Sequence, residues 1–394
     1  MSKLNDLEKY ISVYRDDLLD DIIPFWLKHC IDNKYGGFNF CLDRDGAIID
    51  TDKGVWQQGR FTWMLATLYN EVQQKDEWLN LAIHGADFME KHCIDSDGRM
   101  FFLVDQVGNP IRKRRYVFSE TFACIAYAAL FKATGERKYE DLARELFNVF
   151  IKYSTQEGLI PPKFTDHRKV KGMGHPMIGI ATAQELRKNL DNDSFTAYID
   201  KWIDEIRTDF MNHEFKAVME TVSPDGEMLD HFDGRTLNPG HAIEGAWFIL
   251  EEAKFRGNDP DLIEMGTTML DWMWEIGWDK EYGGIFYFRD VKGLPVQEYW
   301  HDMKFWWPQN EVIIATLMAY ALTRDDKYAK WHEMIHQWTF DKFPDPEYGE
   351  WFGYLHRDGR ISSTLKGNIW KGPFHIPRMY LKAWKILEEI KMNF

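Results

Sequence analysis

The chain has 394 residues, of which 45% are apolar and 15% aromatic, and its formal net charge is −15. This composition allows a large buried core and argues against nucleic acid or an anionic membrane as the main partner. The four cysteines form no C-x-x-C pair, so neither a disulfide framework nor a zinc knuckle is predicted. The charged first residues, and the lack of an apolar run of about 18 residues, predict no signal peptide, no membrane span and a cytoplasmic location.

Helical periodicity runs through most of the chain, and no linker rich in proline, glycine or serine divides it. We therefore predict a single domain over residues 1–394. The predicted helices cover residues 5–31, 55–74, 77–93, 117–134, 137–153, 175–190, 194–213, 240–257, 259–276, 308–323, 326–341 and 374–391.

Shorter segments between alternate helices combine an aromatic or apolar run with turn residues, which is typical of β-hairpins. Such segments recur about every 60 residues, and a fixed period indicates a repeat architecture. The six segments are 36–49, 98–111, 158–164, 217–229, 283–296 and 349–361.

Six helix–hairpin–helix units predict an all-α fold, a closed (α/α)6 barrel or six-hairpin toroid with short β-hairpins at one end. Inner helices of such a barrel are apolar nearly all round, as in ETFACIAYAALF (120–131). Outer helices are amphipathic, as in KYEDLARELFNVFIKY (138–153). A linear solenoid is the alternative, but it needs polar terminal caps, and the last predicted helix is apolar and aromatic.

In such a barrel each hairpin leads into the N-terminus of an inner helix, and these N-termini meet at one end of a central cavity. Helix N-termini supply free N–H groups and partial positive charge. Ionisable residues cluster at these positions, which indicates a functional site, although each residue taken alone has a structural explanation as a capping, pairing or packing group. The six segments are WQQGR (56–60), VFSE (117–120), GHPM (174–177), PGHAIE (239–244), KFWWPQNE (304–311) and FHIPR (374–378).

Three of these segments contain a histidine, and we take His241 and His375 as the candidates for proton transfer, for which an ordinary imidazole pKa near ~6.5 is suitable. Two bases on opposite faces of a carbon next to a carbonyl would invert that carbon. Arg60 and the helix N-termini would stabilise the enolate oxygen. Glu244 or Glu311 would fix the tautomer of a histidine.

Other chemistries have weaker support. No further acidic or cysteine cluster completes a metal site around His241 and Glu244, so no metal is predicted. Phosphate-binding loops, dinucleotide-binding glycine motifs and serine-hydrolase elbows are absent from the sequence. An inverting glycosidase with paired carboxylates and a carbohydrate-binding module without catalysis remain open at this point.

Long strings along nearly the whole chain, in the same order, resemble motifs of the N-acylglucosamine 2-epimerase family. The strings are VWQQGRFTWM, VFSETFACIAYAAL, NPGHAIEGAWFIL, KFWWPQNEVI, DPEYGEWFGYL and KGPFHIPRMYL. The resemblance implies an (α/α)6 barrel. It also implies interconversion of N-acetyl-D-glucosamine and N-acetyl-D-mannosamine, a sialic acid precursor, by ring opening and proton transfer at C2.

The same resemblance assigns site residues and partners. His241 and His375 are implied as the catalytic acid/base pair. No cofactor is implied for the chemistry, but ATP or another nucleotide is implied as an allosteric activator, and a homodimer as the assembly. Epimerisation of cellobiose and aldose–ketose isomerisation of mannose are the alternatives on the same barrel. Substrate contacts are implied at Arg60, Glu244, Glu311, Arg378, Lys304, Trp306, Trp307 and His175.

Overall fold

The structure, a computed structural model, describes residues 7–392. Residues 5 and 6 of the first predicted helix therefore lie outside the described part. The α-helices are α1 Leu7–Asp17, α2 Ile23–His29, α3 Val55–Glu71, α4 Asp76–His92, α5 Phe118–Thr134, α6 Arg137–Thr155, α7 Gly174–Leu190, α8 Thr196–Glu205, α9 Phe232–Arg235, α10 Pro239–Phe255, α11 Pro260–Gly277, α12 Trp306–Thr323, α13 Asp326–Lys342 and α14 His375–Met392. Turns of π-helix lie at Leu18–Ile22 and Ile206–Phe210, and 3-10 turns at Asp166–Arg168 and Asp193–Phe195.

The helices pack as two concentric layers. Along the inner layer α3 contacts α5, α5 contacts α7, α7 contacts α10, α10 contacts α12, and α12 contacts α14. In the outer layer α4, α6, α8, α11 and α13 each pack on the inner helix that precedes them, and α1 packs on α14. Contact between the first and last described helices makes the sixth pair. This arrangement is the predicted (α/α)6 barrel and not a linear solenoid.

Burial separates the two layers as the sequence predicts. In α12 every residue from 306 to 320 is buried, and in α5 every residue from 119 to 130. The outer helix α6 buries only one face, through Tyr139, Ala143, Leu146, Phe147 and Phe150. No helix of the described residues is long and apolar enough to cross a bilayer.

Short antiparallel strands connect the outer helices to the next inner helices. They are β1 Cys41–Leu42, β2 Ile48–Asp50, β3 Lys53–Gly54, β4 Leu103–Val104, β5 Pro110–Arg112, β6 Lys171–Gly172, β7 Met211–Asn212, β8 Ala217–Val218, β9 Thr221–Val222, β10 Thr236–Leu237, β11 Arg289–Asp290, β12 Lys304–Phe305, β13 Tyr354–Leu355 and β14 Ile361–Ser363. The sheets are β1–β2, β3–β4–β5, β6–β9, β7–β8, β10–β11 and β12–β13–β14.

The hairpin prediction was correct for three segments, 36–49, 98–111 and 349–361, which contain β1–β2, β4–β5 and β13–β14. Segment 158–164 forms no strand; Pro161 and Pro162 have no backbone N–H to give to a ladder. The strands of the other two predicted segments pair outside their own segments. Segment 217–229 contains β8 and β9, which pair with β7 and β6, and segment 283–296 contains β11, which pairs with β10.

Buried lysines hold three of these connections against the next inner helix. In each case an aspartate at the start of the connection pairs with a lysine further along it, out of contact with solvent. Isolated buried charges are costly, so each ammonium also donates to a backbone carbonyl of the same connection. The pairs are Lys53–Asp32 at 2.8 Å, Lys304–Asp279 at 3.1 Å and Lys366–Asp345 at 2.9 Å.

Glutamines in the first turn of two inner helices bind the preceding connection like an added strand. Gln58 Oε1 accepts the N–H of Phe38 at 2.9 Å, and its Nε2 donates to the Phe38 carbonyl at 2.8 Å. Gln309 makes the same two bonds with Ile285, at 2.7 and 3.0 Å. These bonds fix where α3 and α12 begin relative to the hairpins.

Glu120 takes the equivalent position in α5. Its Oε1 accepts the N–H of Met100 at 2.7 Å, whereas its buried Oε2 has no partner among the described residues. Burial raises the pKa of this carboxyl. A protonated carboxyl can both accept and donate a hydrogen bond, as the glutamine does in the other two helices.

We predict that Glu120→Gln increases the free energy of unfolding at alkaline pH. The pKa of this carboxyl is higher in the folded than in the unfolded state, so the folded protein loses stability as the pH rises from the unfolded-state pKa to the folded-state pKa. The amide of glutamine does not titrate and causes no such loss. Urea unfolding at about pH 5 and about pH 8 tests this, since the advantage of the variant should grow with pH. Exposed Glu145→Gln is the control, and an advantage equal at both pH values would contradict the interpretation.

Candidate active site

A cavity of about 1020 Å³ lies inside the barrel and receives side chains from all six inner helices. Fifteen of the residues that line it are phenylalanine, tyrosine or tryptophan, among them Trp56, Phe122, Trp247, Trp370 and Phe374. Aromatic faces are suitable surfaces for the apolar faces of sugars. Seven of the predicted site residues line it, namely Arg60, His241, Glu244, Trp306, Trp307, His375 and Arg378.

His375 is the first residue of α14, and a buried carboxylate fixes its ring. Its Nδ1 lies 2.7 Å from Oε1 of Glu311, which has no solvent exposure. The acceptor carboxylate places the proton on Nδ1, so that Nε2 keeps its lone pair. Burial lowers the pKa of His375 well below its ordinary value, and the positive charge of Arg378 lowers it further. The ring is therefore neutral at physiological pH.

His241 lies in the first turn of α10, and its pKa is shifted in the opposite direction to that of His375. Asn238 caps this helix by accepting the N–H of His241 at 3.1 Å, and Pro239 begins it. The His241 Nδ1 lies 3.0 Å from Oε1 of Glu220. Burial by itself lowers the pKa of His241, but the charge and hydrogen bond of Glu220 outweigh it, and the net shift is upward.

Trp307 brings the two histidines to one place. Its ring centroid lies 4.9 Å from that of His241 and 5.8 Å from that of His375. Both imidazoles therefore border the same indole on the cavity wall. Trp306 follows the same wall, with its ring centroid 6.4 Å from that of His375.

Arg378, one turn after His375, bridges two carboxylates. Its Nη2 donates to Oε1 of Glu311 at 2.7 Å and to Oε1 of Glu244. The other oxygen of Glu311 accepts Nε1–H of Trp247 at 2.8 Å. Potential ligand atoms of Glu244, Glu311 and His375 lie within 4.8 Å of one another, but a metal ion there would compete with the guanidinium for both carboxylates.

Arg60 presents a second guanidinium to the cavity. It is buried among three aromatic rings, at 4.1 Å from the centroid of Phe122, 4.7 Å from Phe374 and 5.4 Å from Trp56. Its Nε has no hydrogen-bond partner among the described residues. Burial lowers its pKa to about 9, so the group is still cationic at neutral pH. A buried cation with unused donors is suited to an oxyanion.

Three predicted site residues do not line the cavity. Glu311 has no solvent exposure and lies behind His375 and Arg378, which it contacts. Lys304 is fully buried against Asp279, and burial lowers its pKa to about 8. His175 packs between outer helices, with ring centroids 5.3 Å from Phe150 and 6.1 Å from Trp202. Burial, with a smaller contribution from a nearby lysine, lowers the His175 pKa to about 4. The side chains of Lys304 and His175 turn away from the helix mouth on which the sequence places them.

Sequence reasoning missed Glu220, the partner of His241. Glu220 lies between β8 and β9, in the apolar string AVMETV. The signal in the sequence that could have found it was a carboxylate within an otherwise apolar run of residues. It also missed the wall residue Trp370, which lies in the loop before α14.

The sequence matches the family model described as N-acylglucosamine 2-epimerase (GlcNAc 2-epimerase) over residues 36–376. The N-acylglucosamine 2-epimerase of Bos taurus is 36% identical over 380 residues, which is 94% of this chain and 90% of that protein. The chain belongs to the N-acylglucosamine 2-epimerase family.

Other relatives agree with this assignment. The N-acylglucosamine 2-epimerase of Homo sapiens is 34% identical over 370 residues, covering 91% of this chain and 86% of its own. The solved cellobiose 2-epimerase of Spirochaeta thermophila superposes with a TM-score of 0.85 at 21% identity, over 99% of this chain and 100% of that one, which supports the barrel fold. The protein is an epimerase of the isomerase class, and its family has no cofactor requirement for the chemistry.

We predict that the two histidines titrate on opposite sides of the ordinary imidazole pKa of about 6.5. His241 gains charge stabilisation from Glu220, whereas His375 loses it by burial beside Arg378. Long-range ¹H–¹⁵N spectra of the imidazoles over a pH series measure this, with His241→Gln and His375→Gln variants to identify the signals. Equal pKa values for the two rings would contradict the structure.

Proposed function

We propose that the protein interconverts N-acetyl-D-glucosamine and N-acetyl-D-mannosamine by moving a proton off and onto C2. The observation that carries the proposal is the pairing of two histidines at one indole, each with its own carboxylate and with opposite pKa shifts. The animal relatives at 34–36% identity, which bear the name N-acylglucosamine 2-epimerase, support this substrate.

In this mechanism the two histidines have different roles. His375, neutral and with Nε2 unprotonated, takes the proton from C2 of one epimer once the sugar ring has opened. Glu220 raises the pKa of His241 and so favours its protonated form, which gives a proton to the other face. The reverse reaction uses the same two groups with their roles exchanged.

Deprotonation next to an aldehyde places negative charge on the carbonyl oxygen, and fixed cations must stabilise it. Arg60 meets this requirement because it is buried, cationic and unpaired at Nε. Arg378 is less available because Glu244 and Glu311 already bind it. We assign the enediolate oxygen to Arg60, and the positioning of His375 to Glu311 and Arg378.

A second candidate follows from the size of the cavity. A volume of about 1020 Å³ exceeds what one amino sugar fills. A relative named cellobiose 2-epimerase, from Dictyoglomus turgidum, is 26% identical over 409 residues. Epimerisation of cellobiose, or isomerisation of mannose by returning the proton to C1, would use the same histidines.

Finer properties are proposed from the sequence pattern and from the family resemblance. From the sequence pattern we propose one domain over residues 1–394 and a cytoplasmic location. From the resemblance we propose a homodimer and a supply of N-acetyl-D-mannosamine as a sialic acid precursor. We also propose that ATP or another nucleotide acts as an allosteric activator and takes no part in the chemistry.

The decisive test is incubation with N-acetyl-D-glucosamine in D₂O. We expect N-acetyl-D-mannosamine that carries one deuterium at C2, because the proton it receives comes from solvent by way of a histidine. Mass spectrometry and NMR measure the label, and cellobiose and mannose assayed in parallel distinguish the second candidate. A protein that only binds sugar would give neither label nor product.

Single histidine variants sharpen this experiment. His241→Gln and His375→Gln should each nearly abolish epimerisation while circular dichroism shows an intact fold. Each variant should still exchange the C2 hydrogen of one epimer, the one that faces the remaining base. A variant that keeps most of its epimerase activity would refute the two-base assignment.

We predict that Glu220→Gln lowers kcat/KM about 10²-fold at neutral pH and moves the alkaline limb of the pH profile downward. The carboxylate raises the pKa of His241, so its loss lets the acid form disappear at lower pH. Exposed Glu227→Gln, which lies in the turn after β9, is the matched control. An alkaline limb that does not move would show that His241 is not the proton donor.

A further inference from the structure

Three connections in the barrel begin with the same six-residue pattern. The strings are DNKYGG (32–37), DKEYGG (279–284) and DPEYGE (345–350). In each of them the first N–H donates to the sixth carbonyl, at 3.1, 2.9 and 3.0 Å respectively. In each of them the last two residues have positive φ. The three connections are therefore copies of one backbone structure.

Glu350 departs from this pattern. Its φ is 56°, where Gly37 and Gly284 at the equivalent position have 68° and 73°. Residues with a Cβ rarely adopt this conformation, and glycine adopts it without steric cost. Glu350 is also fully buried, so both its backbone and its charge are unfavourable in isolation. A strained residue with a costly side chain is a candidate for a functional role.

The carboxylate of Glu350 joins separate parts of the chain. Lys371 Nζ donates to Oε1 at 2.8 Å, and Trp26 Nε1 donates to Oε2 at 2.6 Å. Lys371 is itself fully buried and also donates to the carbonyl of Lys366 at 2.8 Å. Lys366 already fills the place of the single lysine in the other two copies. The Glu350–Lys371 pair is therefore an addition specific to this connection.

Lys371 lies within the loop 366–374, which leads directly into α14. The Asn368 N–H donates to the Lys371 carbonyl at 2.9 Å, and Gln57 Nε2 donates to the Trp370 carbonyl at 2.8 Å. Trp370 and Phe374 of this loop line the cavity, and the next residue is His375. Whatever fixes Lys371 thus fixes one wall of the cavity and the start of the helix that carries the proposed base.

We propose that Glu350 is a positioning residue, which acts through Lys371 to hold the loop 366–374 in the orientation that the reaction needs. Glycine would suit the backbone at this position better, and the glutamate is present because it binds Lys371. The role in catalysis rests on the function proposed above, whereas the ordering of the loop does not.

The test is Glu350→Gly, which restores the residue of the other two copies and removes the backbone strain. We expect the folded variant to lose kcat by at least about 10-fold, because small displacements of a base are costly to rate. We also expect faster hydrogen–deuterium exchange in peptides of the loop 366–374, with exchange in 279–304 unchanged. Glu347→Gly, an exposed carboxylate of the same connection, is the control and should leave both measurements unchanged.

Two further variants complete the design. Lys371→Met should have a similar effect, and the double variant should add little to either single one, since both remove the same pair. Glu350→Gln, which keeps the size and much of the hydrogen bonding, should restore part of the rate and part of the exchange protection. If Glu350→Gly does not fold, Glu350→Gln is the variant to compare with the wild-type protein.

The outcomes are separable. Unchanged kcat and unchanged loop exchange in folded Glu350→Gly would overturn the positioning role. A wild-type protein without epimerase activity would overturn the proposed function instead, and the exchange data would still decide whether Glu350 orders the loop. Faster exchange throughout the barrel would show a general structural role and would also overturn the proposal.

Discussion

A single buried carboxylate, that of Glu311, holds the centre of the cavity together. It accepts hydrogen bonds from His375, Arg378 and Trp247, and so links α12 to both α14 and α10. A charge in a low-dielectric interior is stable only when its hydrogen-bonding capacity is used, and here three donors use it. The direction of the His375 ring, its tautomer and the position of Arg378 all depend on this one group.

The same physical rule sets the two histidines apart. His375 is enclosed beside a cation, so protonation is unfavourable there; His241 is one third exposed and lies beside Glu220, so protonation is favourable. The pKa values of two groups of the same chemistry are thus shifted in opposite directions. An active site that must remove a proton from one face and supply one to the other needs such a difference.

The barrel holds this site in place through contacts that recur from one unit to the next, and the one unit that departs from the pattern lies near the site. Buried lysine–aspartate pairs and first-turn glutamines place the inner helices in several units. Where one unit replaces a glycine by Glu350, the replacement lies next to the loop that leads into His375. Regular copies specify the fold, and the irregular copy binds the loop that forms part of the cavity wall.

The helices, the barrel class and the clustering of polar residues at helix mouths could be predicted from the sequence, because periodicity and turn chemistry are local properties. The predicted residues Arg60, His241 and His375 line one cavity in the structure. Which side chains pair with each other could not be predicted, since Glu311 and His375 lie 64 positions apart and the direction of a side chain depends on its neighbours in the fold. For the same reason Lys304 and His175, on the expected segments, turn into the protein away from the cavity. Strands such as β6, β10 and β12 also pair with partners that no local pattern indicates.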